Sequence, residues 1–389
     1  METNLLSRLR KFILPEIVYG PGALQLAGQH TRNFGGTKVL LVTDEGVAAA
    51  GWSGRVAASL EESGVDHVVF SAVTPNPKDH EVMGGAELYA RKGCDLILAV
   101  GGGSPMDAAK GIGIIVGNGG HILDFEGVDE VPNPGPPLIF IPTTAGTSAD
   151  VSQFAIITDT RRSVKIAIIS KMVIPDIALV DPETTVTMSK ELTAATGMDA
   201  LCHAFEAYVS TNASALTDMA ALQAVRLIAN HLQHACEAPT DMGHRDPMMM
   251  ASLMAGLAFS NASLGLVHAM AHSLGGALGL AHGECNALLL EQVVAFNFEA
   301  AIPKYHQLAA AIGMPPQPDD LKAATAALKG HIADLRRRLG IDKGLKTMGV
   351  AADDLAKLAR NAHADPCLAT NPRPATVEEI ESIFAAVHY

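Results

Sequence analysis

The first half of the chain alternates short apolar runs with stretches of helical pattern, and this alternation limits the possible folds more than any other feature. Strands that are apolar along their whole length, separated by helices at 47–63 and 81–92, are typical of a parallel sheet covered on both faces. A short hairpin is also expected over 154–158 and 164–169. The predicted strands of the sheet are residues 38–42, 65–70, 94–100, 138–141 and 177–180.

The amino-acid composition and the hydrophobic pattern change after about residue 188. From there Ala, Met and Leu dominate, and one helical period follows another to the C-terminus. A chain of 389 residues is also longer than a single hydrophobic core usually serves. We therefore predict a Rossmann-like α/β domain over residues 1–187 and an all-α domain over residues 188–389.

Two loops that follow predicted strands have the composition of ligand-binding loops. Residues 101–105 read GGGSP, where glycines let a phosphate approach the backbone and the following helix start offers free N–H groups and a positive dipole end. Residues 142–148 read PTTAGTS and are rich in hydroxyls. Open α/β sheets bind ligands at the carboxyl ends of their strands. A nucleotide site at this edge is expected, although the first loop taken alone could be a plain tight turn.

The stretch over 264–283 places three histidines in apolar surroundings, because Asp, Glu, Lys and Arg are absent between Asp246 and Glu284. A buried imidazole without a partner is costly, and neutral imidazole is the commonest metal ligand in proteins. His268 and His272 are four residues apart and share one face of a helix, as do Asp199 and His203. These residues favour a divalent metal site over histidines that merely form hydrogen bonds in a core. The spacing leaves open whether His272 or His282 is a ligand.

Charge and composition limit the partners. A net charge of −13 argues against binding nucleic acid or an anionic membrane surface. The uncharged span 247–283 is long enough to cross a membrane, but its histidines, Asn261 and glycines favour a pair of buried helices. Five scattered cysteines without a CxxC pair, and an N-terminus without the apolar core of a signal peptide, indicate a cytoplasmic protein.

Six motifs occur in an order that resembles the iron-containing, or group III, alcohol dehydrogenases. The resemblance extends from Phe12 to the C-terminus. It implies a dinucleotide-binding N-terminal domain and a helical domain that holds one divalent metal ion in the cleft between them. The motifs are GGGSPMD (101–107), PTTAGT (142–147), GMDALCH (197–203), VHAMAHSLGG (267–276), HG (282–283) and DPCLATNPR (365–373).

The resemblance also assigns roles to individual residues. It implies that His272 lies beside the metal without binding it, and we expect that ring to relay a proton. One carboxylate with three imidazoles suits Fe(II) and tolerates Zn(II). The metal ligands it implies are Asp199, His203, His268 and His282.

The family resemblance also implies a set of residues that bind the cofactor. An acid at Asp44 accepts hydrogen bonds from a ribose diol and repels a 2′-phosphate, so NAD is expected rather than NADP. For Asp44 and Asp107 the ordinary alternative is helix capping. The cofactor residues implied are Asp44, Asn76, Gly102, Gly103, Ser104, Asp107, Thr143, Thr144, Thr147 and Lys165.

The expected reaction is hydride transfer between NAD and a small alcohol, with the metal polarising the alcohol oxygen. Phe154, Phe259 and Cys367 match positions that line the substrate pocket in relatives; each would otherwise pass for core. A homo-oligomer, dimer or larger, is expected from the resemblance. The alternatives are a zinc-type polyol dehydrogenase similar to glycerol dehydrogenase, a non-redox metal hydrolase on the same histidines, and a membrane or scaffold protein.

Overall fold

The N-terminal half is built on a sheet of six parallel strands, with a second sheet of three strands beside it. The computed structural model describes residues 10–389, so the parts of the domain and signal-peptide predictions that fall on residues 1–9 lie outside it. The strands are β1 (Glu16–Tyr19), β2 (Lys38–Val42), β3 (Asp66–Phe70), β4 (Leu96–Gly101), β5 (Gly127–Val128), β6 (Leu138–Pro142), β7 (Phe154–Asp159), β8 (Val164–Ile169) and β9 (Ile177–Val180). Their order is β1-β9-β6-β4-β2-β3 in the large sheet and β5-β8-β7 in the small one.

Helices cover the sheet and then form the second half of the molecule. Five lie in the first half, α1 (Ala27–Asn33), α2 (Glu45–Ala49), α3 (Trp52–Glu62), α4 (Asp79–Lys92) and α5 (Gly103–Asn118). The rest are α6 (Lys190–Val209), α7 (Ala215–Glu237), α8 (Met242–Ala262), α9 (Leu266–Leu278), α10 (His282–Asn297), α11 (Ile302–Ala311), α12 (Leu321–Arg338), α13 (Leu355–His363) and α14 (Val377–Ala386).

The large sheet is buried on both faces, as its apolar strands predict. In β2, Val39 and Leu41 point into the hydrophobic cluster that contains α3, whereas Leu40 and Val42 point into the cluster that contains Ile112 of α5. Alternate residues of a strand face opposite sides of a sheet, so only a strand apolar at every position can serve both layers. The predicted α/β domain with a parallel sheet and the helical second half are therefore confirmed.

Two local predictions differ from the structure. The single helix expected over 47–63 is wrong, because Gly51 adopts a left-handed φ of 87° and separates α2 from α3. Glycine adopts this conformation without a steric penalty. Strand β1 was not predicted, since its four residues are partly exposed. It is an edge strand of the large sheet and pairs with β9 alone. The hairpin of β7 and β8 is antiparallel, as expected.

The uncharged span forms two helices, α8 and α9, that bend by 100° at the break between them. Most side chains of both helices are buried against other helices, which agrees with the predicted pair of buried helices. Within residues 10–389, one helical segment, His282–Ala311, is by itself long and apolar enough to cross a membrane, and 67% of its most apolar window is buried. The predicted absence of a membrane partner stays a prediction.

The two halves meet where the loop after β6 touches the helical half. The hydroxyl of Ser148 donates to the carbonyl of Ser252 in α8 at 2.6 Å. A Cβ atom added to Gly256, one turn further along α8, would lie 2.4 Å from the Cβ of Ser148. The loop therefore lies directly on α8. The boundary predicted at residue 187 falls just before α6 and also stays a prediction.

Candidate active site

The glycine-rich loop and the threonine-rich loop lie side by side at the carboxyl edge of the sheet. The carbonyl of Gly101, the last residue of β4, accepts a hydrogen bond from the Thr143 N–H at 2.9 Å. A Cβ atom at Gly102 would lie 3.2 Å from Thr144 Cγ2, and one at Gly103 would lie 3.1 Å from Thr147 Cγ2. The two glycines therefore keep the space between the loops open in front of the α5 N-terminus, where an anion is favoured.

Two adjoining hollows open from this edge. The outer hollow, about 800 Å³, runs along α2 and the two loops, and the inner hollow, about 160 Å³, reaches the histidines. Every predicted cofactor residue lines one of them. Asp44, Gly102, Thr143 and Thr144 line the outer hollow, Asn76, Asp107 and Lys165 line the inner one, and Gly103, Ser104 and Thr147 line both.

Asp44 has the capping role that was its ordinary alternative. Its Oδ1 accepts the Val47 N–H at 2.8 Å and caps α2. Its side chain also lines the outer hollow. Capping and ligand binding are compatible here, because a carboxylate has a second oxygen with which to accept hydrogen bonds.

Asn76 is held in the left-handed region, with a φ of 57° that Asn tolerates better than most residues. Its N–H donates to Ser104 Oγ at 3.2 Å, and its carbonyl accepts the Thr158 hydroxyl at 3.3 Å. The loop that carries Asn76 is thereby joined to the α5 N-terminus and to the small sheet. This places Asn76 on the wall of the inner hollow.

Lys165 and Asp107 are partly buried ionisable groups on the wall of the inner hollow. Burial lowers the pKa of Lys165, and burial raises the pKa of Asp107 to about 7, against the attraction of Lys110. The stem of Lys165 runs beside α9, where a Cβ atom at Gly275 would lie 2.9 Å from its Cε. The small residue at Gly275 therefore leaves room for this lysine beside the histidine helix.

The four predicted metal ligands lie around one point: ligand atoms of Asp199, His268 and His282 are all within 4.8 Å of one another, and His203 lies outside that group but next to Asp199. Asp199 and His203 come from α6, His268 from α9, and His282 begins α10. The Asp199 Oδ1 atom lies 3.9 Å from His203 Nε2, 3.6 Å from His268 Nε2 and 3.7 Å from His282 Nε2. The His203 and His268 rings stack with centroids 4.5 Å apart. Three helices thus bring one carboxylate oxygen and three imidazole nitrogens together at the end of the inner hollow.

The polar atoms around this point fit a divalent cation. The Asn286 amide nitrogen donates to Asp199 Oδ1 at 2.6 Å and lies 3.1 Å and 3.2 Å from the Nε2 atoms of His268 and His282. The Asn286 oxygen and His282 Nδ1 are buried without a hydrogen-bond partner among the described residues. One carboxylate oxygen with three imidazole nitrogens is a donor set for a transition metal.

Burial and neighbouring charges favour, for most of the four predicted ligands, the protonation state that binds a metal. Burial opposes ionisation of Asp199, but His203, His282 and His268 outweigh it and lower its pKa. Burial lowers the pKa of His203 to about 4 and that of His282 well below its usual value. Burial opposes protonation of His268 too, yet the neighbouring carboxylates raise its pKa to about 9. Metal binding requires an ionised carboxylate and neutral imidazoles, so only His268 must give up a proton.

His272 lies beside the cluster in a separate polar group. Its Nδ1 is 2.9 Å from Asp365 Oδ2, and its ring is nearly parallel to that of His282, with centroids 5.4 Å apart. The atoms of Asp199, His268 and His282 that can bind a metal lie within 4.8 Å of one another, whereas His272 groups with Asp365 and Cys367 instead. The arrangement therefore favours His282 over His272 as the partner of Asp199.

Two of the three predicted pocket residues line the inner hollow, and the third does not. Phe154 and Phe259 line the inner hollow with ring centroids 5.6 Å apart, and Phe259 stacks on His203 at 4.2 Å. Cys367 is fully buried, and its N–H donates to Asp365 Oδ1 at 2.8 Å. Among the described residues, Cys367 is not one of those that line the hollow. A pocket role for Cys367 stays a prediction.

Sequence reasoning missed three residues of the site. Asn286 follows His282 by four residues, and Glu206 follows Asp199 by seven, so both share a helix face with a predicted ligand. That spacing was a signal for both residues. Asp365 lies in the C-terminal motif, 93 residues from His272 along the chain, and only the fold brings the two together.

Comparison with known proteins identifies the family. Residues 15–182 match the family described as iron-containing alcohol dehydrogenase, and residues 193–388 match the C-terminal part of the same family. This chain belongs to the iron-containing alcohol dehydrogenase family. Its relatives include an NAD-dependent methanol dehydrogenase from Bacillus methanolicus, 40% identical over 96% of this chain and 98% of that protein. A 1,3-propanediol dehydrogenase from Citrobacter freundii is 41% identical over 97% and 98% of the two chains.

Solved structures agree with this membership. A 1,3-propanediol oxidoreductase superposes with a TM-score of 0.94 at 38% identity, covering 98% of this chain and all of that one. The alcohol dehydrogenase from Oenococcus oeni gives the same TM-score at 36% identity and the same coverage. As a member of this family, the protein is a metal-dependent, NAD(H)-linked oxidoreductase that interconverts an alcohol and its aldehyde or ketone. The comparisons do not favour the polyol-dehydrogenase or metal-hydrolase alternatives.

Proposed function

We propose that Asp199, His203, His268 and His282 hold one divalent metal ion, Fe(II) in preference to Zn(II), and that the enzyme oxidises short primary alcohols with NAD. The observation that carries the proposal is the convergence of these four side chains at the end of the inner hollow. One carboxylate oxygen with three imidazole nitrogens leaves room on a five- or six-coordinate ion for an alcohol oxygen. Such coordination numbers suit Fe(II) better than Zn(II), which prefers four ligands.

When bound, the ion supplies Lewis acidity that lowers the pKa of an alcohol hydroxyl, and NAD supplies the hydride acceptor. The protein's own residues supply position. The open space at Gly102 and Gly103 would admit the pyrophosphate to the α5 N-terminus, and the loop threonines and Lys165 would hold the remainder of the cofactor. Phe154 and Phe259 supply the apolar wall against which a short alkyl chain packs, which also excludes water from the site.

We assign proton transfer to His272. Its Nδ1 is committed to Asp365 Oδ2, which leaves Nε2 to take the alcohol proton and pass it towards solvent. Asp365 is buried, and burial raises its pKa, but His272 outweighs this and holds the pKa of that carboxyl below its usual range. An ionised Asp365 stabilises the imidazolium that forms when His272 accepts the proton.

We propose that Asp44 determines the specificity for NAD over NADP. Its carboxylate lines the outer hollow at the end of β2, where an adenosine ribose would lie. The oxygen that does not cap α2 can accept from the ribose diol, and its charge repels a 2′-phosphate.

Short alcohols and diols are the proposed substrates, with a homo-oligomeric, cytoplasmic enzyme as the setting. Relatives named for methanol and 1,3-propanediol support a small substrate, as do the two phenylalanines on the wall of the inner hollow. A net charge of −13 supports the absence of nucleic-acid and membrane partners. Light scattering on the purified protein measures the oligomeric state directly.

Loss of a ligand should remove the metal. We expect His268→Ala and His282→Ala to lose bound iron and turnover, because each removes one of the four proposed donors and so weakens binding of the ion. Elemental analysis after anaerobic purification with added Fe(II) or Zn(II) measures the content. His231→Ala, on α7 and outside both hollows, is the matched control and should keep wild-type content. Full metal content in either ligand variant would refute the assignment.

Asp44→Gly should gain activity with NADP. Without the carboxylate, the 2′-phosphate no longer meets a negative charge, and we expect the ratio of kcat/KM for NADP to that for NAD to rise at least about tenfold, or about 1.4 kcal/mol. Steady-state kinetics with both cofactors measures the ratio. An unchanged ratio would leave Asp44 with only its capping role.

His272→Ala should keep its metal and lose rate. A positioned acid–base group contributes about 10²–10⁴-fold, so we expect kcat to fall by at least about 100-fold and the pH profile to change shape. Elemental analysis and the pH dependence of kcat measure the two effects. A wild-type profile would end the relay assignment.

A panel of alcohols tests the substrate class. With NAD and added Fe(II), we expect kcat/KM to be highest for primary alcohols and diols of one to about four carbons, because the space beside Phe154 and Phe259 is limited. Absorbance of NADH measures each rate. A preference for long-chain or secondary alcohols would contradict the proposed class.

A further inference from the structure

Glu206 is a buried carboxylate directly behind the proposed metal site. Its side chain is only about 4% exposed, and His268 is the ion-pair partner that the structure gives it. A buried carboxylate costs several kcal/mol unless a partner compensates it. The burial of this carboxylate beside His268 therefore indicates a role beyond packing.

The placement of Glu206 follows from the periodicity of α6. Asp199, His203 and Glu206 occupy positions i, i+4 and i+7, so all three project from one face of the helix. Asp199 and His203 lie on the metal side of His268, and Glu206 reaches the opposite nitrogen of the same ring. Glu206 Oε2 lies 2.5 Å from His268 Nδ1, while His268 Nε2 lies 3.6 Å from Asp199 Oδ1.

The second oxygen of Glu206 holds the helix that carries His268. The α9 N-terminus has glycine at its N-cap and so has no capping side chain of its own. Glu206 Oε1 accepts the Val267 N–H at 2.6 Å, and Asn371 Oδ1 accepts the Leu266 N–H at 3.2 Å. A Cβ atom at Gly265 would lie 3.0 Å from Glu206 Oε1, so glycine is needed there for the carboxylate to reach the helix.

We infer that Glu206 is a positioning residue for metal binding, acting through His268. By accepting the Nδ1 proton it selects the tautomer whose Nε2 lone pair faces Asp199, and by holding Val267 it fixes the direction of the ring. Its charge adds a second effect. A divalent ion held by Asp199 and three neutral imidazoles would keep one positive charge, which the carboxylate of Glu206 would neutralise. The inference rests on the metal site proposed above.

Glu206→Gln tests the inference, since it keeps the size of the side chain and removes the charge. Loss of such a partner costs about 10–100-fold in metal affinity, and we expect the dissociation constant for Zn²⁺ or Co²⁺ to rise by that factor. Competition with a chromogenic chelator on metal-free protein measures it. Glu206→Asp, which keeps the charge on a shorter side chain, should recover part of the loss.

A thermal melt of each metal-free variant separates positioning from structure. A purely structural Glu206 would lower the melting temperature of Glu206→Gln and leave its metal affinity unchanged. Glu291→Gln is the matched control, because Glu291 is also buried, lies on α10 and pairs with Arg336 at 3.3 Å, outside both hollows. We expect the control to lose stability and keep the wild-type dissociation constant.

The remaining outcomes are decisive as well. A wild-type dissociation constant in Glu206→Gln, or an equal loss of affinity in Glu206→Gln and Glu291→Gln, would overturn the inference. If Glu206→Gln does not fold, the rate of Co²⁺ release is measured on Glu206→Asp instead. Release that is faster than from the wild type supports the inference, and an equal rate overturns it. Wild-type protein that binds none of these ions would instead refute the proposed metal site itself.

Discussion

The burial of Asp199 among imidazoles is the interaction on which the rest of this structure depends. A carboxylate removed from water is tolerated only where it is surrounded by partners, and here the partners come from three helices. The helices approach closely because small residues line their contacts. A Cβ atom at Gly283 would lie 2.4 Å from the carbonyl oxygen of Ala195, and one at Gly197 would lie 2.2 Å from Leu232. The Ala- and Gly-rich composition of the second half is therefore a condition for the site.

The same packing connects the cofactor edge to the histidines. The carbonyl of Gly146, in the loop after β6, lies 3.2 Å from His203 Nδ1, and a Cβ atom at Gly146 would lie 2.5 Å from Thr196 Cβ on α6. One loop thus lines both hollows and also contacts a predicted metal ligand. Because hydride transfer requires the two reacting carbons to be held in a fixed geometry, this direct contact between the halves is what makes the cleft suitable for the reaction.

Two histidines one turn apart on α9 have carboxylate partners that differ in position. Glu206 holds the ring of His268 from the buried side and leaves its other nitrogen facing Asp199, whereas Asp365 holds the ring of His272 beside the inner hollow. The same pair of groups therefore has two uses. In the roles we propose, the first carboxylate directs a lone pair towards a cation, and the second prepares a ring to accept a proton. The difference comes from where α9 points each ring.

The sequence by itself determined the features that depend on local pattern. The apolar strands, the loops at 101–105 and 142–148, and the pairs Asp199/His203 and His268/His272 follow from periodicity and spacing, and the order of the motifs indicated the family. Tertiary structure alone decided the break at Gly51, strand β1, the burial of Cys367 and which carboxylate pairs with each histidine of α9. Glu206 and His268 are 62 residues apart, and Asp365 and His272 are 93 apart. Such contacts exist only after helices distant in sequence have packed together, because local patterns carry no information about which faces will meet.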